Sequence, residues 1–319
     1  MKTKILQNYN FSSLSSPLPK LDPWYITGLY DGDGSLGLSI SQNSKRSLGY
    51  IITLRFEIGL HSKDLDLLKG LQAYFGVGGI YKHSGDMMRY KVSSIRDITK
   101  VILPHFELYP LVTQKRADFE LLKCAIEIIN KGPVSQEDLQ KIVDLKASLN
   151  NGLSSKLQAA FPKTVPVQRS IIPYTAPLHP LWVVGFTEAE SSFIIGFYKS
   201  SSCKLGRAAR LIFVLTQHSR DEKLLQGFIE FFGCGSYALR KNKLAGDYRV
   251  FKLEDFNSKI IPFFLKYPLR GSKALSFKDF CLGAKIMNEK GHLTPEGLNS
   301  LEIIKSRINN FNSLANKPL

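Results

Sequence analysis

The chain carries two copies of one unit, and this duplication restricts its fold more than any other feature of the sequence. Residues 64–78, DLDLLKGLQAYFGVG, return at 221–235 as DEKLLQGFIEFFGCG. Asp64, Leu67, Leu68, Gly70, Phe75, Gly76 and Gly78 recur as Asp221, Leu224, Leu225, Gly227, Phe232, Gly233 and Gly235. His61-Ser62 returns with the same shift as His218-Ser219. Further on the shift grows by one residue. Tyr90-x-Val92 becomes Tyr248-x-Val250, and Tyr109-Pro110-Leu111 with Lys115 becomes Tyr267-Pro268-Leu269 with Lys273. It grows by one more where Glu137-x-Leu139 and Leu149-Asn150-Asn151 become Glu296-x-Leu298 and Ile308-Asn309-Asn310. So slow a drift across a whole half is hard to produce by chance, and its length indicates a duplicated domain rather than a short-period solenoid.

Each half repeats one coarse pattern: a short helix, two alternating strands, a second helix, two more strands, then helices to the end. Leu65, Leu68, Leu71, Gln72 and Phe75 predict a helix over 63–75, stopped by Gly76-x-Gly78. Residues 35–41 and 50–58 alternate: Leu36, Leu38 and Ile40 share one parity, as do Ile52, Leu54, Phe56 and Ile58. An antiparallel sheet with one polar face is therefore expected in each half. The Gly-rich GVGGIY at 76–81 lacks a P-loop lysine and predicts a turn between helix and strand. Residues 150–180 are rich in Ser, Lys and Pro, as suits a connector. The expected organisation is a first repeat over 1–150, a linker over 151–178 and a second repeat over 179–319. The fold class is α+β, with two pseudo-symmetric αββαββα repeats.

With 44% hydrophobic residues the chain can pack a core, but its formal net charge of +16 is unusual and points to a polyanionic partner. No stretch reads as a long apolar span or a basic amphipathic anchor, so no membrane partner is expected. Cys124, Cys203, Cys234 and Cys281 are scattered without close pairs, which favours neither zinc nor disulfides and predicts buried or half-buried thiols. The N-terminal MKTKILQNYNFSSLSSPLPK lacks an apolar secretory segment; basic and Ser-rich but without Arg, it is at most a weak transit-peptide signal.

The start of each half carries the chemistry. Residues 24–36 read WYITGLYDGDGSL and residues 182–194 read WVVGFTEAESSFI. Aligning Gly28 with Gly185 pairs Asp31 with Glu188, Gly32 with Ala189 and Asp33 with Glu190, at the shift that also takes Asp64 to Asp221. These segments resemble the LAGLIDADG motif of single-chain, two-repeat homing endonucleases, and the resemblance extends through the Tyr-Pro-Leu and Leu-Asn-Asn segments of both halves. The residues suit that motif. Gly28 and Gly32 lie on one helical face, as do Gly185 and Ala189, and small residues four apart let two helices approach closely. If the motif helices pack together, their C-terminal ends bring Asp33 and Glu190 close. Two carboxylates at negative helix ends repel, and a hard cation resolves the conflict; oxygen-only ligands favour Mg²⁺.

The resemblance implies a saddle of two antiparallel sheets with the motif helices at the repeat interface. It implies double-strand cleavage of a long asymmetric DNA target, by phosphodiester hydrolysis, leaving short 3′ overhangs. Two or three divalent ions would sit between Asp33 and Glu190 with help from the carbonyls of Gly32 and Ala189, Mg²⁺ supporting cleavage and Ca²⁺ binding alone. Lys115 and Lys273 match basic active-site positions, and Gln217 a position that orders water near the metals; its counterpart is Leu60, so unequal half-sites are expected. Asp31 and Glu188 are assigned to capping rather than to metal. Ser191 replaces a usual glycine. An intron-encoded origin in a fungal mitochondrion and a monomeric state are also implied. Two alternatives use the same scaffold: an RNA maturase that assists splicing of its own intron RNA, and a non-cleaving DNA-binding repressor.

A polar, basic sheet face is about as wide as the major groove. Parity assigns Ser35, Gly37, Ser39, Ser41 and Lys45 to that face, then Thr53, Arg55 and Glu57, then Arg89, Lys91 and Ser93. The second half offers Ser192, Ile194, Tyr198, Arg210, Val214, Thr216, Arg240 and Arg249. Arg55 and Arg210 are natural guanine readers, and Glu57 can accept from cytosine N4. His61 and His218, at equivalent strand ends, are read as structural.

Overall fold

The computed structural model describes residues 20–312. The N-terminal segment considered above as a transit signal and the side chains of Asn309-Asn310 lie outside the described residues. The chain packs as two compact units that part between Ala189 and Glu190.

The first unit opens with α1 (Pro23–Asp33). Asp22 starts it: its carboxylate accepts from the N–H of Trp24 at 2.8 Å, and Pro23 supplies a preset first-turn φ. Tyr25 through Asp31 are all buried, as a helix without a polar face must be. Strands β1 (Gly34–Gln42) and β2 (Tyr50–His61) follow, then α2 (Leu65–Phe75), β3 (Gly79–Lys82) and β4 (Met87–Val92). They form an antiparallel sheet in the order β1-β2-β4-β3. Gly76 ends α2 with φ +68, a conformation that L side chains adopt only under strain. Leu36, Leu38, Leu54, Phe56, Ile58, Tyr90 and Val92 line the inner face, and Leu67, Leu68, Leu71 and Phe75 of α2 are buried with them. Tyr30 of α1 stacks on Phe56 with centroids 4.5 Å apart, which ties the motif helix to the middle of the sheet.

Beyond β4 runs a helix in three parts: α3 (Ile95–Asp97), a π turn (Ile98–Ile102) and α4 (Leu103–Leu108). Pro104 explains the π turn, since it has no N–H to return and its ring would strike the carbonyl one turn back in a regular helix. Helices α5 (Lys115–Asn130) and α6 (Gln136–Ala147) complete the repeat.

The connector is packed rather than loose. It forms α7 (Ser155–Ala160) and then lies along α5 and α6. Val165 N–H donates to Asp144 at 3.1 Å, and Ser148 donates to the Val167 carbonyl at 2.5 Å. Gln114 pairs both ways with the backbone of Ile172, at 2.7 and 3.1 Å. Arg169 donates to the Gln114 carbonyl at 2.8 Å and to Asp118 at 3.0 Å. Helix α8 (Pro180–Glu190) ends the connector. It opens the second repeat by sequence register, yet through Ala189 it packs with the first unit because its partner is α1.

The second unit repeats the plan with β5 (Ser191–Lys199), β6 (Arg207–His218), α9 (Glu222–Phe232), β7 (Ser236–Leu239) and β8 (Ala245–Val250), in the order β5-β6-β8-β7. The next helix again has three parts, α10 (Leu253–Asp255), a π turn (Phe256–Ile260) and α11 (Ile261–Lys266), with Pro262 where Pro104 stood. Helices α12 (Lys273–Asn288) and α13 (Pro295–Asn312) follow. Phe213 takes the place of Phe56, surrounded by Phe193, Phe232, Tyr248 and Phe264. Each such ring contributes about 2–3 kcal/mol by leaving water. The expected α+β architecture of two αββαββα repeats is observed, with extra C-terminal helices in each.

Cys234 and Cys281 are buried and Cys203 is half-buried, as expected, but Cys124 is exposed on α5. Its neighbours on the helix, Leu121, Leu122 and Ala125, take the core side. Among the described residues no helix is long and apolar enough to cross a membrane.

Candidate functional site

Helices α1 and α8 cross at their glycines. A Cβ on Gly28 would overlap the backbone carbonyl of Trp182 and crowd the nitrogen of Phe186. A Cβ on Gly185 would overlap the carbonyl of Tyr25 and crowd the nitrogen of Leu29. Backbone meets backbone on both sides, so only glycine permits this approach. Asp33 and Glu190 each stand five residues beyond the crossing glycine of their own helix.

The acidic residue two positions earlier has a different job. Asp31 is fully buried and does not cap its own helix. It accepts from Val112 N–H at 2.9 Å, from Thr113 N–H at 3.2 Å and hydroxyl at 2.5 Å, and from the indole N–H of Trp182 at 2.8 Å. Burial pushes its carboxyl above the usual range despite these donors and nearby Lys115. Asp31 thus fastens α1 both to α8 and to the Leu111–Thr113 loop that leads into α5. The capping role expected for it is corrected accordingly; a helix-terminal carboxylate with four donors from other segments is an anchor.

That loop delivers Lys115. Its ammonium donates to the carbonyls of Tyr30 at 3.1 Å and Gly32 at 2.5 Å, satisfying acceptors that the end of α1 leaves open. Lys273, at the equivalent start of α12, donates to the Ser191 carbonyl at 2.6 Å. Asp33 is exposed and Glu190 half-buried. Gln217, at the end of β6, donates to Glu190 Oε1 at 3.3 Å, while its counterpart Leu60 is buried and apolar. In the first motif a Cβ on Gly34 would overlap the Tyr30 ring; in the second copy Thr187 replaces that ring and Ser191 the glycine, so the two positions change together.

The sheets turn their predicted polar parities outward. In the first, Ser35 lies opposite Glu57, Gly37 opposite Arg55, Ser39 opposite Thr53, and Glu57 opposite Lys91. Lys45 sits in the exposed β1–β2 turn, next to Ser41 on the same hairpin end, and Ser93 just after β4. Arg55 lies across the bare backbone of Gly37 and donates to Ser39 at 3.3 Å. Glu57 is held by Arg89 at 2.9 Å and Lys91 at 3.9 Å. In the second sheet Ser192 faces Val214, which faces Arg249, and Gly196 faces Arg210. Arg210 lies between the rings of Tyr198 and Phe251, 5.4 and 5.3 Å from their centroids. Ile194 pairs with Ile212, and Thr216 with Asp247.

The LAGLIDADG endonuclease family model matches residues 26–126 and 183–283. The chain is 38% identical over 93% of its length to probable intron-encoded endonuclease 3 of Neurospora crassa, of which it spans 56%. It is 34% identical over 95% of its length to probable intron-encoded endonuclease 2 of the same organism, of which it spans 71%. I-SmaMI bound to uncleaved DNA target in the presence of calcium ions superposes with a TM-score of 0.88 at 40% identity, over 91% of this chain and 99% of that one. I-SmaMI bound to cleaved DNA gives a TM-score of 0.86 at 39% identity, over 91% and 97%. The chain belongs to the LAGLIDADG endonuclease family.

Each LAGLIDADG helix by itself ends in oxygen donors, a carboxylate (Asp33 or Glu190) beside main-chain carbonyls, and such donors suit a hard divalent cation. Among the described residues no three His, Cys, Asp or Glu side chains gather as a ready-made metal cage. Sequence reasoning missed two members of this surface. Gly196 is one, lying opposite Arg210 on the parity of Ser192 and Ile194. Asp247 was passed over, although it shares the parity of Arg249.

Proposed function

We propose that this chain is a site-specific DNA endonuclease that hydrolyses both strands of a long asymmetric duplex, using divalent metal held by Asp33 and Glu190. The crossing of α1 and α8 at Gly28 and Gly185 carries the reading, because each glycine is followed five positions later by a carboxylate. Two such groups at negative helix ends favour a cation between them. Mg²⁺ is the ion proposed, two or three per site; the carbonyl of Ala189 and that of Gly32, which also accepts from Lys115, would be further ligands. Bound there, the ion would supply Lewis-acid polarisation of the scissile phosphate and activation of a water.

The protein's own groups do the rest. Lys115 and Lys273, tethered at the helix-end carbonyls, neutralise charge on phosphate oxygens. Gln217 orients Glu190 and the water beside it; Leu60 cannot, so the two strands are cut by unequal half-sites. The outer sheet faces read the duplex, from Ser35, Gly37, Ser39, Ser41, Lys45, Thr53, Arg55, Glu57, Arg89, Lys91 and Ser93 on one side. Ser192, Ile194, Tyr198, Arg210, Val214, Thr216, Arg240 and Arg249 serve on the other. Cleavage leaves short 3′ overhangs. One chain with both motif copies acts as a monomer, and its intron-encoded relatives support an origin in a mitochondrial intron.

Selection from a randomised duplex library tests this. Discrete cut products in Mg²⁺ and enrichment of the same sequences uncut in Ca²⁺ are expected. Enrichment without cutting in either ion contradicts the reading.

A further inference from the structure

The outer face of the second sheet contains a buried anion. Asp247, in the middle of β8, shares that face with Arg249 and lies opposite Thr216, yet its side chain is only 1% exposed. Both of its oxygens are filled. Oδ1 accepts from Thr216 at 2.7 Å and from Arg240 at 2.8 Å; Oδ2 accepts from Arg240 Nε at 3.0 Å and from Arg249. Arg240 also donates to the Thr216 hydroxyl at 2.9 Å. Burial opposes ionisation of Asp247, but the bonds from Arg240, Thr216 and Arg249 outweigh it and hold the carboxyl below its ordinary range.

A carboxylate so enclosed cannot itself accept from a base, and its charge alone would repel phosphate. Its consequence is for the arginines. Their side chains remain 47% and 39% exposed, so they stay available at the surface while the anchored Asp247 fixes them there. An unsupported arginine loses rotamer freedom on binding, and a guanidinium held in one plane loses less and presents its donors in a set direction. Bidentate pairing with guanine O6 and N7 requires such a direction. The first repeat reaches a similar arrangement differently, with Glu57 on β2 holding Arg89 and Lys91 from β4.

We propose that Asp247 is a positioning residue for sequence discrimination, fixing Arg240 and Arg249 so that the second sheet distinguishes guanine at neighbouring positions of one half-site. This rests on the reading above that the outer sheet faces contact duplex DNA. It extends that reading to a residue that touches no base.

The test is binding in Ca²⁺ of the parent and of Asp247→Asn, each against every single-base-pair substitution of the parent's target. The parent should lose about tenfold or more in affinity at the positions read by these arginines. In Asp247→Asn that preference should collapse at those positions alone, with the other half-site's profile unchanged. Non-specific binding should hold or strengthen and its salt dependence steepen, because one negative charge is lost. Arg240→Lys, which keeps the charge but not the fork, should lose preference within the same group of positions. An unchanged base profile in both variants overturns the proposal, as does a loss spread evenly over both half-sites. If Asp247→Asn does not fold, Arg240→Lys and Arg249→Lys decide on the same readout. Failure of the parent to prefer any duplex would instead remove the DNA-contact reading itself.

Discussion

The indole N–H of Trp182 donates to the Asp31 carboxylate across 2.8 Å, joining the two motif helices through a buried polar contact. Trp182 and Asp31 are both fully buried, so neither can exchange this bond for water. Trp182→Phe should lower stability by about 1–2 kcal/mol, and Asp31→Ala, which strands the donors of Val112, Thr113 and Trp182, by about 3–5 kcal/mol. Urea unfolding of the three proteins checks the order. Equal stability of Asp31→Ala and the parent would show that the carboxylate anchors nothing.

Gly28→Ala and Gly185→Ala each place a methyl group into backbone that cannot retreat. Each should cost about 3 kcal/mol or more and lower the melting temperature. Gly59→Ala, whose Cβ would meet nothing nearer than 4.0 Å, is the control and should melt close to the parent.

His105 is buried between the Thr27 hydroxyl at 3.2 Å and the Tyr74 hydroxyl at 3.1 Å, and burial pushes its pKa down to about 4. Its unfolded value is near 6.5, so between those two pH values the unfolded chain binds the extra proton and stability rises with pH. The contribution is complete above pH 6.5 and lost by about pH 4, on the order of 3 kcal/mol. Unfolding free energies of the parent and His105→Gln across this range should converge toward low pH. Parallel curves would contradict the burial of a neutral imidazole.

Arg169 pins the connector to the start of α5, one residue before Lys115. Arg169→Ala leaves the buried Asp118 short of a partner and should cost about 2–3 kcal/mol. Limited proteolysis should then nick residues 161–178 sooner, with Arg169→Lys intermediate. Cleavage of that segment at the parent's rate in all three would show that the ion pair does not hold it.

Much of this was readable from the residues because strand parity and helix spacing record which side chains face the core. Leu36, Leu38 and Ile40 went inward, Ser35 and Ser39 outward, and Gly28 and Gly185 marked a close crossing. What escaped depended on partners remote in the chain. Nothing near Asp31 in sequence announces Thr113 or Trp182, so it resembled an ordinary cap. The Ser- and Pro-rich composition marks a connector but does not announce that Gln114 and Arg169 bind it down. Asp247 was hidden for another reason: parity assigns it to the polar face but says nothing of its burial beneath two arginines.

In the proposed function Asp33 and Glu190 serve chemistry rather than folding or recognition. The most direct measurement compares cleavage in Mg²⁺ with binding in Ca²⁺ for the parent, Asp33→Asn and Glu190→Gln on the selected duplex. Cleavage should fall by at least about a thousandfold in each variant, while affinity stays within a few-fold of the parent. Retained cleavage in either variant, or an equal loss of cutting and binding, would contradict it.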